Sequence, residues 1–291
     1  MQTQRRCMKT KEIFLCAISN ISSGSCLEDC GFCTQSTKHH ANIQRYRYKK
    51  IDDIIQEAKI AKSNGAIGFC LVTSGKGLDD KKLDFVCSAA KAVKREIKEI
   101  NIIACNGLAS LEQLKTLKNA GVELYNHNLE SSKDFYKTLC KTHSWEQRYQ
   151  TCLYAKEAGL KLVCGGIFGL GESQDDRVSF IDSVRSLDPF TTPLNFFHPN
   201  PVLPIKTEVL DEDEALGLIR FAREELPNTR LMVAGGREIT FKTKKGEIFD
   251  AGADAIVIGN YLTTAGDAPN QDIEMIQNAG HKIASWKPCN S

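Results

Sequence analysis

An α/β fold, a parallel TIM-type (β/α)8 barrel, is what this sequence predicts, and three observations predict it. Eight short apolar runs of strand length recur along the chain. Amphipathic stretches of helix length separate most of them. Glycine follows several of those stretches just before the next strand, at Asn64-Gly65, Ala120-Gly121, Ala158-Gly159 and Ala251-Gly252. An open doubly wound sheet is the alternative that the same alternation leaves.

The expected strands are 14–19, 68–73, 102–106, 123–128, 160–165, 193–197, 230–234 and 255–259. The expected helices are 51–63, 83–97, 111–120, 145–158, 173–186, 211–226 and 244–251. The first of these puts Ile54, Ile55, Ala58 and Ala61 near one face. No linker or low-complexity stretch divides the 291 residues, so one barrel domain is expected over 1–291, with a short leading segment at 1–12 and a tail from about 266 to 291. Active sites of such barrels lie at the C-terminal ends of the strands. Cys70, Cys105, the polar run Asn126-His127-Asn128, Cys164, Asn195 and Arg237 fall there.

Charge narrows the function. Lys and Arg number 38 against 36 Asp and Glu, a net +2, which gives no electrostatic case for nucleic acid or a membrane surface. No apolar run approaches the ~20 residues that cross a bilayer. The basic start is followed by no apolar stretch of the signal-peptide kind, so a cytoplasmic protein is expected. Twelve cysteines in such a chain point to metal ligation or redox chemistry rather than to disulfides.

Cys26, Cys30 and Cys33 lie within eight residues, just after the first strand. Three thiolates that close can wrap one soft metal centre. A structural zinc site closes with four ligands, and His39 and His40 could complete one. Three cysteines on a [4Fe-4S] cluster instead leave one iron open for a ligand. The C-x3-C-x2-C spacing, with Phe32 before the third cysteine, resembles the signature of the radical S-adenosylmethionine (SAM) superfamily.

Within that superfamily the chain resembles the biotin synthases from about Cys16 to Thr264. The segments that carry the resemblance are CLEDCGFCTQS, GFC ending at Cys70, IIACNG around Cys105, YNHNLE at 125–130 and VCGGIFGLGE around Cys164. PLNFF around Asn195, AGGRE around Arg237 and YLTT ending at Thr264 continue it in order. The resemblance implies a [4Fe-4S] cluster on Cys26, Cys30 and Cys33 that binds and reduces SAM. It implies an auxiliary cluster, [2Fe-2S] or four-iron, on Cys70, Cys105 and Cys164, whose sulfide is inserted into dethiobiotin. It implies SAM contacts from Asn128, Glu130, Arg148, Gly169, Gly171 and Glu172, and dethiobiotin contacts from Asn126, Asn128, Asn195, Thr263 and Thr264. An electron donor such as flavodoxin or ferredoxin, and a homodimer, come with the same resemblance. Two other readings stay open: a different radical SAM barrel enzyme, and a non-catalytic zinc or iron–sulfur protein.

The chain departs from the family's pattern in three places. Glu130 stands where aspartate is usual, and Cys16 where serine is usual. Met232 stands at the position of the arginine that ligates the family's [2Fe-2S] cluster, with Arg230 two residues earlier as a rival. Cys16 and Met232 lie on strands one and seven, which share interior layers with strands three and five in this architecture. Cys16 is therefore the expected fourth auxiliary ligand. His127 reads as a hydrogen-bonded structural histidine. His39, His40, His143, His198 and His281 read as surface or loop residues, and Cys87, Cys140, Cys152 and Cys289 carry no assigned chemistry.

Overall fold

A computed structural model describes residues 10–287. Cys7, Cys289 and most of the leading segment lie outside the described residues. The strands are β1 (Glu12–Asn20), β2 (Gly68–Val72), β3 (Asn101–Cys105), β4 (Leu124–Asn126), β5 (Lys161–Val163), β6 (Gly166–Phe168), β7 (Thr191–Phe196), β8 (Arg230–Val233), β9 (Ala255–Ile258) and β10 (Lys282–Ile283). All neighbouring pairs are parallel, and β9 returns to β1 with Phe14 opposite Ala255, which closes an eight-stranded barrel. Its fifth strand is split: β5 ends at Val163, and β6 resumes at Gly166 beside β7. Gly165 lies in the gap because a Cβ there would stand 1.9 Å from the Pro193 carbonyl oxygen.

The helices between strands are α1 (Ile51–Ser63), α2 (Asp80–Glu96), α3 (Leu111–Asn119), α4 (Lys133–Leu139), α5 (Trp145–Glu157), α6 (Gln174–Leu187), α7 (Glu212–Glu225), α8 (Arg237–Thr240), α9 (Glu247–Ala251) and α10 (Pro269–Asn278). Serine caps start α3, α5 and α6, each with a reciprocal bond from the residue three positions on. Strand side chains alternate between two cores. Leu15, Phe69, Ile102, Tyr125, Leu162, Leu231 and Ile256 pack outward against the helices. Cys16, Cys70, Val72, Ile103, Leu124 and Val163 pack inward, with Ile18, Cys105, Phe190 and Met232 beside them.

The tail expected from about residue 266 is structured. α10 starts with proline at its first turn, and β10 adds to the N-terminal end of β1, pairing Lys282 with Glu12 and Ile283 with Ile13.

Candidate active site

The triplet loop folds over the C-terminal end of the barrel and is fixed by its own backbone. Cys26 N–H donates to the Gln35 carbonyl at 3.3 Å, and Thr37 N–H donates to the Cys26 carbonyl at 2.8 Å. Cys33 N–H reaches the Cys30 carbonyl at 3.1 Å, and Ser36 N–H the Cys33 carbonyl at 3.2 Å. Burial pushes the Cys26 thiol up and the Cys33 thiol to about 11. The Cys30 thiol is also raised, first by its hydrogen bond to Cys140 and then by burial. Thiols of this kind stay protonated until a metal takes the proton's place, so the loop is a ligand set that ionises on loading.

Beneath the loop lies a cavity of about 320 Å³ that runs down the barrel axis. Its wall carries Cys16, Cys70 and Cys105 from the adjacent strands β1, β2 and β3. Register puts Cys70 level with Ile18 and Ile103, and Cys105 level with Val72. The Cys70 thiol is held well above the ordinary thiol range, first by hydrogen bonding with Cys105, then by burial, with Cys16 adding to it. The three thiols therefore share one neighbourhood. Asn126, Asn128, Glu130, Asn195, Thr263 and Thr264 line the same cavity. Thr263 also bonds Thr34 of the triplet loop, hydroxyl to hydroxyl, at 2.8 Å.

Three buried acceptors in this wall have no partner among the described residues, the Asn101 Oδ1 low on β3, the Asn126 Oδ1 and the Glu130 Oε2. An orphaned buried acceptor costs about 1–3 kcal/mol unless a donor reaches it. Glu130 takes a left-handed backbone with φ 70°, which turns its carboxylate inward. Burial raises its pKa, against the pull of Arg148.

Arg148 is committed within the protein. It bonds Glu130 Oε1 at 2.9 Å through Nη2 and the Asn128 carbonyl at 2.6 Å through Nε, and its Nη1 lies 3.2 Å from His143 Nε2. It orients Glu130 through that pair. Asn195 spans two strands: its Nδ2 donates to the Gly166 carbonyl at 3.0 Å, and its Oδ1 accepts from Gly235 N–H at 2.9 Å.

Several expected site residues are not brought to the cavity. The Cys164 thiol points outward into the helix layer, 3.8 Å from the Cys152 sulfur, and Val163 takes the inward position on β5. A strand side chain changes face at every residue, so the one-residue offset removes Cys164 from the auxiliary set. Gly169, Gly171 and Glu172 form a self-contained turn. Glu172 accepts from the Gly169 and Leu170 N–H groups at 2.9 and 2.7 Å and pairs with Arg177 at 2.9 Å. Arg237 is buried in an ion pair with Asp272 at 2.7 Å, remote from any ligand role. Arg230 lies at the base of the lumen, its guanidinium 3.4 Å from the Phe14 ring centre and 4.8 Å from that of Phe190.

Sequence reasoning missed two residues beside the triplet. Cys140 and His143 are buried; His143 and His281 both lie in loops, as expected, but away from the surface. The Cys140 sulfur lies 3.7 Å from that of Cys30. The C-x2-H spacing of Cys140-Lys141-Thr142-His143 was the signal that could have found them.

A closed parallel barrel with a three-cysteine loop at its mouth defines the chain as a member of the Radical SAM superfamily, which it matches over residues 20–184. Residues 193–282 match the Biotin and Thiamin Synthesis associated domain, so the two matched regions meet in one barrel between β6 and β7. The chain belongs to the biotin synthase family. It is 58% identical over 274 residues to the biotin synthase of Nitratiruptor sp. (94% of this chain, 98% of the relative). It is 57% identical over 274 residues to that of Campylobacter jejuni serotype O:2 (94% and 99%). Among solved structures, the FeFe-hydrogenase maturase HydG of Carboxydothermus hydrogenoformans shares the fold with a TM-score of 0.81 at 18% identity (96% of this chain, 69% of that one). Methylornithine synthase shares it with a TM-score of 0.76 at 18% identity (94% and 84%).

Proposed function

We propose that this chain inserts sulfur into dethiobiotin to form biotin, using SAM, a [4Fe-4S] cluster on Cys26, Cys30 and Cys33, and an auxiliary cluster held by Cys16, Cys70 and Cys105. The observation that carries the reading is the second set of thiols, buried in one axial cavity beneath the triplet loop. When bound, the first cluster supplies the electron that cleaves SAM and the second supplies the sulfur.

The chain's own residues bind and enclose. Glu130, oriented by Arg148, offers Oε2 to the donors of SAM at the cavity mouth, with Asn128 beside it. Asn126 Oδ1 is left to accept from the ureido nitrogens of dethiobiotin, with Asn195 two barrel strands further round and Thr263 and Thr264 toward its carboxylate. Ile18, Val72, Ile103, Leu124 and Val163 exclude water from the zone between the two thiol sets. A flavodoxin- or ferredoxin-type electron donor and a homodimer are proposed on the family resemblance. A reducing cytoplasm suits ten free cysteines among the described residues. No helix among the described residues is long and apolar enough to cross a membrane.

Anaerobic incubation of the reconstituted chain with dethiobiotin, SAM and a reductant tests the reading. Biotin is the expected product, and SAM cleavage without biotin overturns the substrate assignment. Asn195→Ala is expected to weaken dethiobiotin binding by ~1–3 kcal/mol, roughly five- to hundred-fold, and to leave SAM affinity within a few-fold. Equal losses for both ligands in a titration contradict the role of Asn195.

Cys16→Ser is expected to lower iron and sulfide content and to alter the spectrum of the auxiliary cluster, while the SAM-binding cluster persists. Met232→Ala is expected to do neither, since a thioether is a weak iron ligand. Full iron content and undiminished biotin formation in Cys16→Ser would take Cys16 out of the ligand set and leave Arg230 as the candidate beside Cys70 and Cys105.

A further inference from the structure

Beside the triplet, four potential ligands from two chain segments converge. The Cys30 and Cys140 sulfurs are 3.7 Å apart. The Cys140 sulfur is 3.3 Å from His143 Nδ1, which is 2.8 Å from Glu28 Oε2. The ligand atoms of Cys30, Cys140 and His143 all lie within 4.8 Å of one another. A tetrahedral zinc ion, with Zn–S about 2.3 Å and Zn–N about 2.0–2.1 Å, sets its sulfurs about 3.8 Å apart and a nitrogen about 3.5 Å from a sulfur. The Cys30–Cys140 and Cys140–His143 separations are those of two edges of such a tetrahedron, and Glu28, outside that three-residue group, stands next to it through His143.

The frame around these atoms is rigid. Gly31 N–H donates to the Leu139 carbonyl at 2.8 Å, which ties the two segments backbone to backbone. Asp29 Oδ1 accepts from Lys141 N–H at 3.0 Å, Thr142 N–H at 3.1 Å and the Thr142 hydroxyl at 2.8 Å. His143 Nε2, on the far side of the ring, lies 2.8 Å from the Tyr136 hydroxyl, the kind of outer partner that orients a ligating histidine. The His143 and Glu28 side chains are 3% and 12% exposed, so a cation seated here is largely screened from water.

We propose that Cys30, Cys140, His143 and Glu28 form a site for one thiophilic divalent cation of the zinc class in chains that have not received the SAM-binding cluster. Occupancy of this site excludes the cluster, because the Cys30 thiolate serves only one of them; that clause alone rests on the functional reading above. Binding releases one proton, the one that Cys30 donates to Cys140, since that hydrogen bond already holds the Cys140 thiol well below the ordinary range. The Nδ1 proton of His143 moves to Nε2, which then donates to the Tyr136 hydroxyl. Arg148 gives up its contact with Nε2 and keeps those with Glu130 and the Asn128 carbonyl. The site thus makes loading of the triplet sensitive to free zinc.

The test uses the full-length chain, purified anaerobically without iron and titrated with Co2+. One tightly bound ion per chain is expected, with the intense visible bands of tetrahedral cobalt and a thiolate charge-transfer band, both lost on adding Zn2+. Cys140→Ala and His143→Ala are each expected to lower cobalt affinity at least ~100-fold, since a direct ligand counts for more than the 10–100-fold of an outer partner. The double variant Cys26→Ala/Cys33→Ala is expected to keep the spectrum. Should Cys140→Ala lose its native circular dichroism, the smaller change Cys140→Ser is read in its place. Zinc-loaded wild type is expected to resist iron–sulfide reconstitution until a chelator is added, while Cys140→Ala reconstitutes with zinc present. A cobalt spectrum unchanged in Cys140→Ala, or lost in the Cys26→Ala/Cys33→Ala variant, puts the ion on the triplet and overturns the site. Equal reconstitution with and without zinc overturns the exclusion. Failure of the sulfur-insertion reading shows separately, as absent biotin from the reconstituted enzyme with an intact cobalt titration.

Discussion

Cys33→Ala is expected to abolish SAM cleavage: deoxyadenosine formation should fall to the level seen without enzyme, iron should fall by about one four-iron cluster per chain, and the far-ultraviolet circular dichroism should stay native. The fold survives because Cys33 is only partly buried and stands on a loop held by backbone hydrogen bonds. Its sulfur is not among the side chains that pack between barrel and helices. A cluster with two protein thiolates in place of three is easily lost, so the whole effect is on loading rather than on stability. Cys26→Ala is expected to behave in the same way. Deoxyadenosine made at the wild-type rate by either variant sinks the assignment of the triplet.

The second large effect is on stability. Arg237→Ala is expected to destabilise the chain by ~3–5 kcal/mol, because it leaves buried carboxylates without their counter-charge. Arg237 and Asp272 are each about 1% exposed at the side chain, 2.7 Å apart, with Glu238 at 2.8 Å from the same guanidinium. The thermal midpoint should drop by on the order of 10 °C. Burial pushes the Asp272 carboxyl up to about 6, while Arg237 pulls it down. Its folded pKa is thus above the ~3.9 of an unfolded aspartate. Its contribution is fully present below that lower value and is lost as pH rises toward 6. Asp272→Asn should remove this part of the pH dependence, and Arg237→Met/Asp272→Asn should recover most of the stability lost in Arg237→Ala. Melting curves across pH 4–8 check both; an Arg237→Ala midpoint within 2 °C of wild type contradicts the account.

The barrel was legible because strand-length runs and helix periodicity alternate so regularly. The eight expected strands all occur, with ends shifted by a few residues at most. What stayed illegible was parity. The run Leu160-Lys161-Leu162-Val163-Cys164 carries one charge, Lys161, on the same face as the inward Val163, so a polar-out reading of the alternation points the wrong way. Pairing Val163 with Thr191 settles it and turns Cys164 out. The partners of Arg237 were equally hidden, since Asp272 lies on a helix assigned to a plain tail. Ala268-Pro269 ahead of an amphipathic stretch was a start signal there that could have been read. Cys16 is the opposite case. Its lumen-facing place on β1 follows from layer arithmetic alone, and the structure sets it beside Cys70.

The pairing of β10 with β1 has a consequence for synthesis. β1 is made first, and β2 can cover one edge of it early. Its other edge is claimed by β9 and, at the very start, by β10, whose residues are translated some 270 positions after those they bond. Through most of elongation the oldest strand therefore travels with an open backbone edge, a ready template for a wrong partner. The nascent chain is most vulnerable in that interval, which closes only once β9 and β10 have been made.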